Sequence, residues 1–413
     1  MMKHPMGSRL KLSVICSSCL ISILLVVGAV LGKSEQQEGA YRPLAVYTEI
    51  LARIKSDYVE EPDIAKVTQG ALHGLVEYLD AASSYLSKEQ FDAYQEALRN
   101  SDRGSGLASG MVVRKQGAYT SVLSVVPGSP ADKAGIRADD LLDAIDDVST
   151  RVMPPAYLQA MLSGAAGTGV KVMVRPASDY ESPVEHTLVR TDPSLPEVAF
   201  RMLEDRIGYV DADFLADSHV GQVSSAIQRL EADGAESLIL DLRGNAMGSP
   251  DAGIALADLL LNGGTITKLD GQNYSEKVFN ASADSAVTEL PVVVIVDRPT
   301  SGGAEIAAAA IQQNDRGEVV GEGTSGLAAV QETISLDDGA ALILSVANYH
   351  GPGGEVIHNE GVEPDSSVSQ RDLRRYREVR HRVFDTPEAR QRAQDEVGDP
   401  FLKQAIEALA GKA

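Results

Sequence analysis

Apolar residues recur with helical spacing in the first hundred residues of the chain. One such face repeats across residues 46–54 and a second across residues 72–79. A third helix is predicted to begin at Ser87, because Glu89 and Gln90 follow it in the manner of a helix start. The pattern predicts an N-terminal helical region.

Short β-like runs replace the helical pattern after residue 110. A predicted helix at residues 154–163 interrupts them and carries a proline near its first turn. The four runs cover residues 111–113, 121–126, 141–145 and 170–174. Together they predict a compact β-rich unit.

Strands and helices alternate from residue 207 onward. Residues 291–296 form an almost uninterrupted β-branched run, typical of a strand buried on both faces. An Ala-rich helix is predicted at residues 304–312, directly after a Gly-rich turn. After Arg371 the chain is Arg-rich and helical, without an apolar stripe wide enough to join a core. The predicted divisions of the chain are 1–33, 41–104, 105–190, 191–370 and a charged helical tail at 371–413.

An uncharged apolar segment occupies residues 12–32, and basic residues precede it. Its length suits a helix across a bilayer, and the basic flank predicts that the chain after Lys33 is exported. We expect an uncleaved, single-pass membrane anchor. The alternative is a cleaved signal peptide, since Val30 and Gly32 are small enough for a cleavage site. Either interpretation places the rest of the chain on the exported side.

Net charge and cysteine content exclude several classes of function. The 413-residue chain has a formal net charge of −22, which disfavours nucleic-acid binding because such binding relies on a basic surface. Its two cysteines, Cys16 and Cys19, both lie in the apolar segment, so no disulfide framework and no Cys-based zinc site is expected after it. The seven histidines are scattered along the chain. We predict no metal site and no cofactor.

Residues 127–136 read Pro-Gly-Ser-Pro-Ala-Asp-Lys-Ala-Gly-Ile, and a predicted strand follows at 141–145. This stretch resembles the bacterial PDZ domain. The resemblance implies that a peptide C-terminus is added as an extra strand and that backbone amides receive its carboxylate. The alternative is a PDZ fold that is used only for packing. The implied peptide-binding residues are Gly106, Leu107 and Ala108 in the carboxylate loop and Met111, Val112 and Val113 in the groove strand.

Three further segments resemble the carboxyl-terminal processing peptidases. Residues 241–248 read Asp-Leu-Arg-Gly-Asn-Ala-Met-Gly, residues 300–306 read Thr-Ser-Gly-Gly-Ala-Glu-Ile, and residues 321–331 read Gly-Glu-Gly-Thr-Ser-Gly-Leu-Ala-Ala-Val-Gln. In that family a nucleophilic Ser precedes the Glu of the second segment by three residues, and a Lys base lies in the third segment. These positions hold Gly302 and Leu327 in this chain. The interval between them equals the family's Ser-to-Lys interval, so the alignment is not displaced.

The oxyanion site that the resemblance implies is also altered. Its donors correspond to the amides of Gly248 and Gly303, but Met247 replaces the first of the family's paired glycines. A long side chain is therefore expected where the backbone should approach a substrate closely. The family's supporting Gln is kept as Gln331.

Shorter matches at residues 79–86, 349–354 and 361–365 frame these segments in the family's order. The resemblance runs from about Tyr41 to Asp365. It implies an α+β multi-domain fold, in which a PDZ β-sandwich or barrel-like domain is inserted beside an α/β, ClpP/crotonase-like peptidase core. An N-terminal helical region completes the implied fold.

Three functions are compatible with this pattern. The first is an exported pseudo-peptidase that binds protein C-termini or unfolded polypeptides without cleaving them. The second is an active serine-type endopeptidase with relocated groups, in which Ser301 is the nucleophile and His350 or His358 the base. We favour another interpretation of Ser301, as the N-cap of the helix that follows. The third is a PDZ scaffold, alone or as a homo-oligomer, that recruits clients or an active paralogue at the membrane.

Overall fold

The computed structural model describes residues 35–100, 107–192, 194–381, 393 and 395–411. The predicted anchor at residues 12–32 and the loop residue Gly106 lie outside these ranges. Within them, no helix combines the length and the apolar composition that a membrane crossing requires.

Two compact units meet in sequence between Gly70 and Ala71. The first elements along the chain are α1 (Glu35–Asp57), α2 (Ile64–Glu77), β1 (Ser84–Leu86) and α3 (Lys88–Asn100). The amide of Ser87 donates to Oε1 of Gln90 at 3.0 Å, and the amide of Gln90 donates to Oγ of Ser87 at 3.4 Å. This reciprocal pair is a capping box, and it confirms the predicted helix start.

The β-rich unit follows α3. Its elements are β2 (Met111–Gln116), β3 (Tyr119–Val125), α4 (Pro130–Lys133), β4 (Leu141–Ile145), β5 (Val148–Ser149), α5 (Pro155–Leu162), β6 (Gly169–Arg175) and β7 (Val184–Val189). The antiparallel sheet has the strand order β2-β3-β4-β6-β7, and β5 pairs with β4. Helix α5 packs beside β2, which is an edge strand of this sheet. An edge strand next to a helix is the arrangement that strand addition requires.

The remaining chain forms an α/β part with two sheets. Its elements are β8 (Ala199–Met202), β9 (Ile207–Asp211), α6 (Asp217–Ala232), β10 (Ser237–Asp241), α7 (Pro250–Asp258), β11 (Thr265–Gly271), β12 (Tyr274–Asn280), β13 (Val292–Val296), α8 (Gly303–Gln313), β14 (Gly317–Gly321), β15 (Ala329–Ser335), β16 (Ala341–His350), β17 (Ser366–Ser367), α9 (Gln370–His381) and α10 (Pro400–Ala410). The first sheet has the order β17-β14-β13-β10-β9-β8 and is parallel except for β8. The second has the order β1-β16-β11-β12, is antiparallel, and carries β15 on β16.

Strand β13 lies inside the parallel sheet and is buried along its whole length. Val292, Val294 and Val296 join an apolar core with α6, α7 and α8 on one face of the sheet. Val293 and Ile295 join a second core with α10 on the other face. Helices therefore cover both faces, and the prediction of a doubly buried strand is confirmed.

Helix α10 corrects the prediction that the tail has no stripe fit for a core. Phe401, Ala405 and Leu409 recur every four residues, are buried, and pack against the sheet. The small Ala405 lets the helix axis approach the sheet, so a narrow stripe is sufficient. Arg243 donates to both carboxylate oxygens of Asp399 at 3.1 and 2.9 Å and lies 4.8 Å from the ring centroid of Phe401. The tail is thus part of the α/β part of the molecule.

Candidate functional site

The turn between β13 and α8 contains Gly302, where the resemblance places a nucleophile. Gly302 is the N-cap of α8 and has a φ of 57° and a ψ of −118°. Residues with a side chain adopt such a backbone only with strain. A Cβ built on Gly302 would lie 3.0 Å from the carbonyl oxygen of Gly248. Glycine therefore suits this turn better than any residue that carries a Cβ.

Glu305, in the first turn of α8, is completely buried. Its Oε1 accepts hydrogen bonds from Oγ1 of Thr324 at 2.5 Å and from the amide of Gly326 at 2.6 Å. Its Oε2 accepts from the amides of Gly302 and Leu327, both at 2.8 Å. Burial raises the pKa of Glu305, and hydrogen bonds from these donors oppose that rise. Because every partner donates, the arrangement suits the ionised carboxylate.

Glu305 brings positions 302 and 327 together. Both amide nitrogens lie 2.8 Å from one oxygen, so they are no farther apart than the sum of those two distances. Leu327 is partly buried, whereas Gln331 lies exposed on β15 opposite Ser345. The structure thus juxtaposes the two positions of the expected dyad, with no hydroxyl at one and no amine at the other.

The two residues that were predicted to supply oxyanion donors are hydrogen-bonded to each other through their backbones. The amide of Gly303 donates to the carbonyl oxygen of Gly248 at 3.1 Å. Met247 packs against an apolar cluster that contains Leu107 and Phe214. Its side chain therefore links the altered oxyanion segment to the predicted carboxylate loop.

Ser301 is buried, and it is not the N-cap of α8. Its Oγ and its amide both donate to the carbonyl oxygen of Asn245, at 3.4 and 2.9 Å. The predicted cap is wrong because the helix begins one residue later, after the sharp turn at Gly302, and Glu305 accepts the Gly302 amide there.

The two histidines considered as relocated bases lie beside aspartates rather than beside Ser301. Nε2 of His350 lies 2.9 Å from Oδ1 of Asp270, and its Nδ1 lies 3.3 Å from the carbonyl oxygen of Gly354. His358 is buried, with its Nε2 3.7 Å from Oδ2 of Asp80. Within the described ranges, neither imidazole forms a hydrogen bond with Ser301.

The predicted carboxylate loop retains free donors before β2. Leu107 is completely buried, and the amide of Thr191 donates to the carbonyl of Ala108 at 2.9 Å. Among described residues, nothing accepts a hydrogen bond from the amides of Ala108 and Ser109, and the buried Ser109 Oγ has no partner. Unpaired backbone donors at one point are what carboxylate capture needs.

Asp297 stabilises the turn between β13 and α8 through hydrogen bonds to backbone and side-chain donors. Its Oδ1 accepts from the amide of Gly244 at 3.0 Å and from the amide and hydroxyl of Thr300 at 3.2 and 2.9 Å. The side chain is partly buried, and the loss of hydration raises the pKa of Asp297 to about 6. The Thr300 hydroxyl also donates to the carbonyl of Leu242 at 3.0 Å, so Asp297 and Thr300 fix the ends of β10 and β13 together.

Sequence reasoning did not assign a role to Glu305 or Asp297. One signal was available for Glu305, an acidic residue in the first turn of a helix that follows a Gly-rich turn. For Asp297 the signal was weaker, a single carboxylate immediately after a buried strand. Neither pattern by itself identifies the amides that these carboxylates accept.

Comparison with known proteins identifies the class of this fold and site. Residues 121–176 match the PDZ domain, and residues 206–368 match peptidase family S41. The photosystem II D1 C-terminal processing protease has a similar structure, with a TM-score of 0.61, 23% identity, and coverage of 79% of this chain and 92% of that one. At that identity the likeness defines the fold, an α+β multi-domain protein with a PDZ domain and a peptidase core.

Sequence relatives then define the family. The carboxyl-terminal-processing protease of Synechocystis sp. is 32% identical over 323 residues, which cover 77% of this chain and 75% of that protein. The carboxy-terminal processing protease CtpA of Bacillus subtilis is 32% identical over 314 residues, which cover 76% of this chain and 66% of that protein. This chain belongs to the carboxyl-terminal processing proteases of peptidase family S41. The domain boundaries at residues 104, 190 and 370 stay predictions.

Proposed function

We propose that this chain binds protein C-termini through its PDZ domain and does not hydrolyse them by a Ser–Lys dyad. The observation that carries the proposal is the pair Gly302 and Leu327. They lie together around one oxygen of Glu305, yet neither supplies a reacting group. Acyl transfer of this type needs an activated hydroxyl and a base within hydrogen-bond reach.

Binding is supported by the geometry around β2. The strand is an edge strand with α5 beside it, and the amides of Ala108 and Ser109 have no acceptor among the described residues. Met111 and Val113 face the apolar interior of this unit. A peptide added along β2 would therefore place its last side chain against an apolar surface and its carboxylate at the loop.

The catalytic half of the proposal is tested with an unfolded protein substrate that ends in apolar residues. The full chain should give no cleavage above a control without protein, and a serine-reactive phosphonate should leave it unlabelled. Cleavage by the wild type that Ser301→Ala abolishes would establish the relocated hydrolase instead.

The binding half is tested with one peptide in two forms, with a free and with an amidated C-terminus. The free form should bind more tightly, by roughly tenfold, because amidation removes charge-assisted hydrogen bonds. Equal affinity for both forms, or no affinity for either, would contradict C-terminus recognition.

We also propose that the chain is exported and tethered to the membrane, where it holds clients or an active paralogue. The basic flank and the uncharged residues 12–32 support this location. A reporter enzyme fused after Ala413 should be active only on the exported side. Activity in the cytoplasm would reverse the assignment.

A further inference from the structure

Arg114 lies on β2 and points away from the PDZ interior. Met111 and Val113 belong to the apolar core of the domain, and Lys115 is buried with its Nζ 3.1 and 3.0 Å from the carbonyls of Arg151 and Met153. Successive side chains of a strand alternate between faces, so Arg114 points the opposite way. The one irregularity in pairing is an extra residue in β3, which leaves the alternation along β2 intact.

The face that carries Arg114 is turned toward the candidate site. Val112, two residues earlier on the same face, packs against the apolar cluster of Leu107 and Phe214, as does Met247. The negative charge of Glu305 acts on Arg114 and partly offsets the lowering of the arginine's pKa by burial. Arg114 therefore lies on the face of β2 that also carries Val112, and the charge of Glu305 reaches it.

Among the residues that the structure describes, none accepts a hydrogen bond from Arg114. Its Nε is buried without a hydrogen-bond partner, and no ion pair joins the side chain to another residue in the described ranges. Glu305 does not fill this role, because each of its oxygens already accepts two other hydrogen bonds. A guanidinium with unpaired, partly desolvated donors matches a carboxylate, which it can bind with two parallel hydrogen bonds.

We propose that Arg114 binds an acidic side chain of the polypeptide held in the PDZ groove, at the third residue before the last. The inference rests on the proposed binding of C-termini. If the loop at Ala108 and Ser109 receives the carboxylate, the last residue of an added antiparallel strand lies opposite Met111. The third residue before it then lies opposite Arg114, on the same face, with Cβ atoms about 5 Å apart.

The experiment compares peptides that end in valine and carry Glu or Gln at the third residue before the last, each with a free or an amidated C-terminus. Affinity for the full chain is measured by fluorescence polarisation. The wild type should bind the free Glu peptide about five- to tenfold more tightly than the free Gln peptide. Arg114→Gln should bind the two equally. Lys133→Gln, which removes the same charge from an exposed position on α4, should keep the preference.

Reversing the two charges distinguishes the loss of this ion pair from a folding defect. Arg114→Glu should prefer a peptide with Lys at that position over one with Glu, a gain that a misfolded domain does not give. An unchanged Glu preference in Arg114→Gln would overturn the inference. If Arg114→Gln instead loses the difference between free and amidated peptides, Arg114 binds the terminal carboxylate and the side-chain assignment is wrong.

The two proposals fail in different ways. Equal binding of Glu and Gln peptides by the wild type, with amidation still weakening both, removes the role of Arg114 and leaves C-terminus recognition in place. No binding of any peptide removes the proposed function itself.

Discussion

The backbone amide of Leu327 donates a hydrogen bond to Oε2 of Glu305 at 2.8 Å, and the same oxygen accepts a hydrogen bond from the amide of Gly302. The two positions that correspond to the family's dyad are therefore held together by a carboxylate that is not part of that dyad. Position 302 has no side chain, and the side chain at position 327 is apolar. This arrangement is the basis of the proposal that the chain binds C-termini without cleaving them by a Ser–Lys dyad.

Glu305→Gln should destabilise the protein by about 2–4 kcal/mol, because the amide nitrogen of Gln would face two donors and leave them unpaired in a buried site. The free energy of unfolding by urea measures the effect. Glu360→Gln, an exposed change of the same type in the loop before β17, is the control and should alter stability by less than about 0.5 kcal/mol. A loss below about 1 kcal/mol for Glu305→Gln would show that the four hydrogen bonds do not stabilise the turn.

The sequence predicted features that depend on local pattern. The β-branched run of β13 and the capping box at Ser87 are written in neighbouring residues, and both are present in the structure. The pairing of β1 with β16, which places Ser84 opposite Ile343, joins segments far apart in sequence and was not predicted. The docking of α10 was also missed, because the stripe of Phe401, Ala405 and Leu409 is narrow and its packing surface is a sheet formed by distant segments.

The same distinction between local pattern and three-dimensional surroundings applies to the candidate site. Gly302 and Leu327 could be located because the motifs and their interval carry the alignment. Glu305 and Arg114 could not be given roles, because their importance depends on which donors and charges surround them in three dimensions. In the sequence, a glutamate whose carboxylate accepts four hydrogen bonds cannot be told from any other glutamate. An arginine whose guanidinium donates none to the described residues likewise cannot be told from any other arginine.

Asp297 should make stability depend on pH. Its native pKa of about 6 is raised above the ordinary value of 3.8, so the native state holds this proton more tightly than the unfolded state does. The resulting stabilisation is complete below about pH 4 and is lost as pH rises through 6. Asp297→Asn does not titrate there and keeps an acceptor at Oδ1 for its three hydrogen bonds.

Urea unfolding at about pH 4 and pH 7 tests this expectation. Relative to Asp297→Asn, the wild type should lose stability between the two conditions, by an amount on the order of 3 kcal/mol. Asp284→Asn, at an exposed position, controls for general effects of charge. A difference between wild type and Asp297→Asn that is the same at both pH values would show that the carboxyl is not titrating in this window.

Asp399→Ala should weaken the attachment of α10. Asp399 accepts hydrogen bonds from the amides of Phe401 and Leu402 at 3.0 and 3.2 Å as the helix N-cap, and it pairs with the partly buried Arg243. Loss of the cap and of one partner of Arg243 should cost about 2–4 kcal/mol, since Asp241 still pairs with the arginine.

Unfolding by urea and limited proteolysis near residue 400 measure the attachment of α10. Lys403→Gln lies on the exposed side of the same helix and should leave both readings unchanged. Proteolysis of Asp399→Ala at the wild-type rate would mean that α10 is held by its apolar stripe alone.

Gly302→Ser combined with Leu327→Lys should introduce measurable cleavage of an unfolded protein that ends in apolar residues. A serine at position 302 regains the hydroxyl, and a lysine at position 327 returns a base to the neighbouring backbone position. We expect a rate about 10²-fold above the wild-type background. The rate should stay well below that of an efficient peptidase for two reasons.

The first reason is that the serine at position 302 must adopt a φ of 57°, with its Cβ 3.0 Å from the Gly248 carbonyl oxygen, at a cost of about 1–3 kcal/mol. The second reason is that the Gly303 amide must release the carbonyl oxygen of Gly248 before it can stabilise an oxyanion.

Adding Met247→Gly should raise the rate further by removing the long side chain from that segment. Gly302→Ala combined with Leu327→Lys is the matched inactive control. Cleavage by the wild type at the same rate as the double variant would refute the proposal that the dyad positions are chemically silent.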